Sequence, residues 1–269
     1  MSKRSDKARR DETPWMFGAG SVRRFADDEV RRTGRRPFIV DTGAERHLLF
    51  SHDSVQSTMR LDDPDALTCE YTRRMMAFLL FVPEPREILM IGLGGGSLAK
   101  FCYRHLPSAK FTAIEIDADV IALRDEFFVP FDDARFRVVH DDGARYLAKS
   151  PALVDVILVD AFDHAGVSPA LATSNFYRLA ASRLSREGVF VMNLSGEPSR
   201  YDVHVQRIYD AFGERTALVQ VASGDNELLF AFKSDVDLST HEVQTRAAEL
   251  QQRLSLDFHR YAQLLTAGM

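Results

Sequence analysis

The sequence is poor in cysteine. Its 269 residues hold only two, Cys69 and Cys102, both in apolar or helical surroundings. That excludes a disulfide scaffold and a cysteine-rich zinc site, and it reads as two reduced core thiols in a cytoplasmic protein. Long apolar runs are missing as well. None approaches the roughly 18 residues that a membrane-spanning helix needs. The opening stretch, Met1–Pro14, is charged and so does not read as a secretory signal. There is no internal repeat and no low-complexity segment. With 45% hydrophobic residues, the composition is too apolar for a disordered chain and sufficient for a large core.

Charge is present but unevenly spread. Residues 1–36 carry eleven basic and six acidic side chains, a net of +5, so the remaining 233 residues carry −10. The basic arm reads as a solvated, poorly ordered leader over residues 1–35, not as a nucleic-acid-binding element. The acidic body suits a cationic ligand.

After the leader, three strand-like runs follow, Pro37–Asp41, Arg46–Phe50 and Val55–Arg60, separated by turn formers. They predict a small antiparallel β domain over residues 36–64. A helix is expected over Asp65–Phe81, capped by Asp65 or Asp63 and stopped by Pro83 and Pro85. From Glu87 strands and helices alternate five times, and a hairpin around "GDN" then joins two last strands. The alternation predicts a Rossmann-like α/β fold over residues 65–269. The terminal hairpin is not needed by a nicotinamide-binding domain, and it fits the class I S-adenosylmethionine-dependent fold. The tail, Ser239–Leu265, reads as one long amphipathic helix that packs back or forms a subunit contact.

In such a sheet, ligands bind at the carboxyl ends of the strands. The first strand runs into "GLGGGS", where Gly92, Gly94, Gly95 and Gly96 allow a tight turn before a helix N-terminus. The second ends at Glu115, 23 residues beyond Gly92, where a carboxylate can accept both hydroxyls of a ribose. The third ends in "DDG", Asp141–Gly143. An acid there can accept from an adenine amino group, or Asp141 or Asp142 simply caps the next helix. The fourth ends in "VDAFDH", where Asp160 and Asp163 bracket a short loop suited to an ammonium group. His164 reads as a loop residue without a role.

Taken together, these four loops resemble the spermidine/spermine synthase family, the polyamine aminopropyltransferases. The resemblance spans roughly Ile39 to Lys233 and includes "IGLGGGS", "IEIDADVI", "DDGARYL", "LVDAFD", "VQSTMRLDD" and "YTRRMMAF". It implies an N-terminal β domain, a Rossmann-like catalytic domain, and assembly as homodimers or homotetramers. It implies a reaction in which an aminopropyl group passes from decarboxylated S-adenosylmethionine to a di- or polyamine such as putrescine, releasing methylthioadenosine, with no metal.

By the same resemblance, Gln56 contacts the sulfonium nucleoside, Glu115 the ribose, and Asp142 with Gly143 the adenine. Asp160 is the catalytic base with Tyr71 beside it. Asp163, Tyr71 and Thr72 meet the amine, Thr72 standing where the family has another polar residue. Two departures bear on function. The family's glycine loop carries an aspartate that holds the aminopropyl ammonium, and here Gly95 occupies that position. A proline usually follows the second loop acid, and here it is His164, with Pro169 further along the gate. The loss at Gly95 leaves room for ordinary S-adenosylmethionine as donor, hence for a methyltransferase or another alkyl transfer. A non-catalytic polyamine- or nucleoside-binding module is a further alternative. The acceptor pocket is expected near Ala165–Thr173. Asp225 or Glu227 can hold a distal ammonium, although a plain hairpin turn accounts for both.

Overall fold

A computed structural model of the chain describes residues 36–51, 54–163, 166–195, 201–221, 226–236 and 241–268. Strands β1 (Phe38–Asp41), β2 (Glu45–Ser51) and β3 (Ser54–Arg60) form an antiparallel meander. Met59, Leu48 and Ile39 from this sheet are buried in the same core as the first face of the main sheet.

The main sheet has seven strands: β4 (Glu87–Ile91), β5 (Lys110–Glu115), β6 (Phe136–His140), β7 (Val154–Val159), β10 (Leu184–Ser195), β11 (Thr216–Gln220) and β12 (Asn226–Phe232). Their order is β11-β12-β10-β7-β4-β5-β6. Strands β4, β5, β6, β7 and β10 run parallel, while β12 is antiparallel to both β10 and β11. The expected alternation with a closing hairpin is therefore present. Apolar residues fill both faces. Met90, Leu158 and Val191 lie in one core cluster, and Ile91, Ile157 and Phe190 in the other. Alternate side chains of a strand point to opposite faces, so both faces of this sheet are covered.

Several helices depart from expectation. The helix expected over Asp65–Phe81 is only α1, Glu70–Met75, continued as a 3-10 turn over Met76–Leu80. Its cap is Cys69, not Asp63 or Asp65, and Asp65 instead pairs with Arg104. Met76–Leu80 are all buried, so packing on every side replaces the one-sided pattern of a surface helix. Helix α2 spans Ser97–His105 and α3 only Ala118–Ala122, followed by turns with Phe128 in the left-handed region. Helices α4 (Gly143–Lys149), α5 (Ser174–Arg183) and α6 (Tyr201–Phe212) follow the expected pattern.

The tail is two helices, α7 (His241–Leu254) and α8 (Phe258–Gly268), not one. Leu254, Leu256 and Phe258 are all buried, and a continuous helix cannot aim residues two apart at one surface. The chain breaks at Ser255, whose φ of 55° ends α7, and Asp257 then accepts the backbone N–H of Arg260. Both helices pack onto the core of their own chain through Val243, Leu250, Tyr261 and Leu265. Among the described residues, no helix is long and apolar enough to cross a membrane.

Candidate active site

Strand order reverses between β4 and β7, so the loops after these two strands diverge and open a crevice at the carboxyl edge. Gly92 and Asp160 lie on its two sides. Gly92 has φ of 91°, and a Cβ there would collide with the Asp160 backbone carbonyl. Only glycine lets the two loops approach this closely. The Asp160 N–H donates to the Ile91 carbonyl at 2.9 Å, which fixes where the strand ends.

Glu115, at the end of β5, is buried. Its Oε2 accepts the Leu93 N–H at 2.7 Å and its Oε1 the Asp117 N–H at 2.9 Å. Each carboxylate oxygen has further acceptor capacity, so a diol can still donate to both. The glycine loop and the candidate ribose acid thus form one hydrogen-bonded unit.

At the end of β6, Asp142 caps α4, its Oδ1 accepting the Arg145 N–H at 2.8 Å. Asp141 accepts the Asp142 N–H at 2.8 Å and pairs with Arg145. The capping alternative is therefore present in the geometry, and it leaves Oδ2 of Asp142 without a part in the cap. Gly143 is required by space, because a Cβ there would strike the Ile91 side chain.

Asp160 is the centre of a wider network. The Tyr71 hydroxyl, from α1, donates to Oδ2 at 3.1 Å. Asn193 Nδ2, from β10, donates to Oδ1 at 3.0 Å. Asn226 Nδ2, at the start of β12, donates to Asn193 Oδ1 at 2.9 Å. Burial pushes the Asp160 carboxyl above the ordinary aspartate range, opposed by the Asn193 and Tyr71 donors. Burial and the nearby Asp160 charge likewise hold Tyr71 well above a normal phenol, so it stays a proton donor. A carboxylate whose pKa is raised is a stronger base, better suited to accepting a proton.

The structure thus brings Tyr71 and Asp160 together across 89 positions of sequence. Thr72, next in the chain, is buried, and its hydroxyl donates to the Cys69 carbonyl at 2.7 Å. Gln56 is half-buried on β3, beside Ser57, which abuts the glycine loop. A Cβ at Gly95 would stand 2.7 Å from Ser57 Oγ and 2.9 Å from Phe127 Cδ1. The position is occupied by its neighbours, and an acid could enter only if they moved. Gly94 and Gly96 complete the loop with positive φ.

Asp163 lies in a two-residue strand, β8 (Phe162–Asp163), paired with β9 (Gly166–Val167). Its side chain, with His164, Ala165 and Asp225, falls outside what is described. The fourth parallel strand stops at Val159, and Phe162–Asp163 belong to this separate two-stranded sheet. Pro169 opens a 3-10 turn ending at Ala172, and the Glu227 side chain accepts from Gln220.

Sequence reasoning missed Asn193, Asn226, Ser57 and Phe127. A signal existed for Asn193 alone, since it interrupts an apolar strand and a buried amide requires a partner.

A family model described as the spermine/spermidine synthase domain matches residues 49–214. A polyamine aminopropyltransferase of Chromobacterium violaceum is 37% identical over 229 residues, covering 84% of this chain and 88% of its own. A solved spermidine synthase in complex with the transition-state analogue AdoDATO superposes with a TM-score of 0.66 at 22% identity, covering 85% of this chain and 80% of its own. Human methyltransferase-like protein 13, solved in complex with SAH, gives a TM-score of 0.63 at 26% identity, covering 70% of this chain and 93% of its own.

Proposed function

The chain belongs to the spermine/spermidine synthase family, and from that premise we propose that it is a polyamine aminopropyltransferase. The donor is decarboxylated S-adenosylmethionine and the acceptor a di- or polyamine such as putrescine. The observation that carries the reading is the Tyr71–Asp160 pair facing the glycine loop and Glu115 across the switch-point crevice.

In this reading Glu115 accepts the ribose hydroxyls, and Asp142 with Gly143 meets the adenine. Gln56 contacts the sulfonium nucleoside, and the loop of Gly92, Gly94, Gly95 and Gly96 cradles it. The amine nitrogen attacks the propyl carbon next to the sulfonium. The carbon–sulfur bond breaks, its electron pair stays on sulfur, and methylthioadenosine leaves as a neutral thioether. The attacking nitrogen must be uncharged, and an alkylamine is protonated at neutral pH. Asp160 takes that proton, and Tyr71 orients the amine. Asp163 joins Tyr71 at the amine. Thr72 we assign to holding the first turn of the helix that carries Tyr71, because its hydroxyl is engaged there. The reaction as written needs no metal.

The proposal extends to organisation. It divides the chain into a leader (1–35), a β domain (36–64) and a catalytic domain (65–269), assembled as a homodimer or homotetramer in the cytoplasm.

A second reading has its own support. Ser57 and Phe127 fill the space beside Gly95, where the family carries an acid, and a relative of known structure is complexed with SAH. Without that acid, the carboxylate of ordinary S-adenosylmethionine is not repelled, which allows methyl transfer. Incubation with putrescine and each donor separates the two. Methylthioadenosine from the decarboxylated donor alone is the expected result, and S-adenosylhomocysteine from the other donor overturns it.

A further inference from the structure

Asp160, Asn193 and Asn226 come from three neighbouring strands at one edge of the sheet. Asp160 follows β7, Asn193 lies near the end of β10, and Asn226 opens β12. They meet only because β12 runs antiparallel, so its first residue arrives where the parallel strands finish. In the register, Asn193 stands opposite Leu228, two residues beyond Asn226, and Met192 stands opposite Val159, the residue before Asp160. Asn193 and Asn226 are diagonal neighbours, within reach of side-chain contact across a sheet.

The hydrogen bonds run in one direction, from Asn226 Nδ2 to Asn193 Oδ1 and from Asn193 Nδ2 to Asp160 Oδ1. An amide can turn over and present its oxygen instead of its nitrogen. Asn226 removes that freedom, because its donor needs the Asn193 oxygen on its own side. Asn193 is 2% exposed, so water does not compete for its amide.

We propose that Asn193 and Asn226 are a positioning pair for the transfer reaction: Asn226 locks the Asn193 amide, and Asn193 holds Oδ1 so that the Asp160 carboxylate is fixed in plane with Oδ2 left to Tyr71 and the amine. Neither asparagine touches substrate in this arrangement, and both act through Asp160. Among the described residues, the titratable groups facing Asp160 are Tyr71 and Cys69, both from α1 and its cap. Among the described side chains, strands β10 and β12 bring the two amides to this network, and Glu227 beside Asn226 is engaged by Gln220. A donor to the carboxylate stabilises its charged form, so removing that donor raises the pH at which Asp160 loses its proton.

The inference rests on the reading of Asp160 as the base. It is tested on the full chain by pH profiles of kcat/KM for methylthioadenosine release from decarboxylated S-adenosylmethionine and putrescine. Asn193→Ala moves the acidic limb upward by about one pH unit and lowers kcat about tenfold. Asn226→Ala moves it the same way by about half as much, Asn226→Gln restores it, and the nucleoside dissociation constant stays unchanged in both alanine variants. The double variant matches Asn193→Ala alone, because Asn226 works only through Asn193. An unshifted profile in Asn226→Ala overturns the inference, as do effects of the two substitutions that multiply. If Asn193→Ala does not fold, Asn226→Ala decides alone, since that residue is half-buried at a strand start. Asp160→Asn is run in parallel. Full activity in that variant overturns the base reading and this inference together, whereas an inactive Asp160→Asn with a normal Asn226→Ala profile overturns this inference only.

Discussion

Asp160 is held by two opposing influences. Burial favours its neutral form, and the donors Tyr71 and Asn193 favour its charged form, with burial prevailing. The folded chain therefore holds this proton more tightly than the unfolded chain does. Stability contributed by Asp160 falls as pH rises from the ordinary aspartate range through the raised value. Asp160→Asn mimics the neutral form, so it has a higher Tm than the parent at pH 7, and the difference is smaller at pH 4, where more of the Asp160 carboxyl is protonated. Calorimetric scans at the two pH values check the sign. The same variant loses turnover by about 10²-fold or more and keeps nucleoside affinity, because the donor's contacts lie on the other loops. Unchanged turnover would remove Asp160 from the role of base. The acids at the strand ends were legible in the sequence as residues. The family resemblance places Tyr71 beside Asp160, whereas nothing near Asp160 in the chain points to Asn226.

At the scale of elements, local pattern read the parallel strands correctly and misjudged several helices. Short continuous apolar runs such as Glu87–Ile91 declare themselves as strands because both faces are buried. The stretch Met75–Leu80 is buried on every side, so its apolar run carries no period that separates an α-helix from a 3-10 turn. The tail shows the converse. Its amphipathic pattern is real in both α7 and α8, but the phase changes at Ser255, and a long window averages over the break. Ser255 sits where a helix commonly ends in glycine, with φ of 55° and its N–H donating to the Gln251 carbonyl at 3.0 Å. Ser255→Gly removes the strain of a left-handed serine and adds some freedom to the unfolded chain. The net expected gain is about 0.5 kcal/mol, read as a higher urea midpoint at unchanged m-value. A lower midpoint would show that the serine side chain contributes more than its backbone strain costs.

Across the whole molecule, the N-terminal sheet meets the α/β body partly through Arg46. Its guanidinium holds Asp41 at 2.8 Å, the Glu126 carboxylate at 3.0 Å and the Glu126 carbonyl at 2.6 Å. Paired carboxylates raise the Arg46 pKa against the burial that opposes it, so the group stays charged. Arg46→Ala leaves two acids close together with no cation between them. The expected loss is about 2–3 kcal/mol, below that for a fully buried pair because Glu126 keeps 31% exposure. Hydrogen exchange should show residues 38–60 losing protection first. Uniform loss would mean that the small sheet and the body open as one unit.

The sequence by itself determined the alternation of strands and helices, the closing hairpin, the glycine loop and the acids at the strand ends. It also carried the family, because the motifs are contiguous runs whose spacing is preserved along the chain. Only the tertiary structure decided the geometry in which these groups meet. Tyr71 reaches Asp160 across 89 residues, and Asn193 and Asn226 arrive from strands whose neighbours depend on strand order and register. It also decided that Ser57 and Phe127 fill the space beside Gly95. Periodicity is set by one residue's nearest neighbours along the chain, whereas a hydrogen bond between distant strands is set by how the sheet assembles.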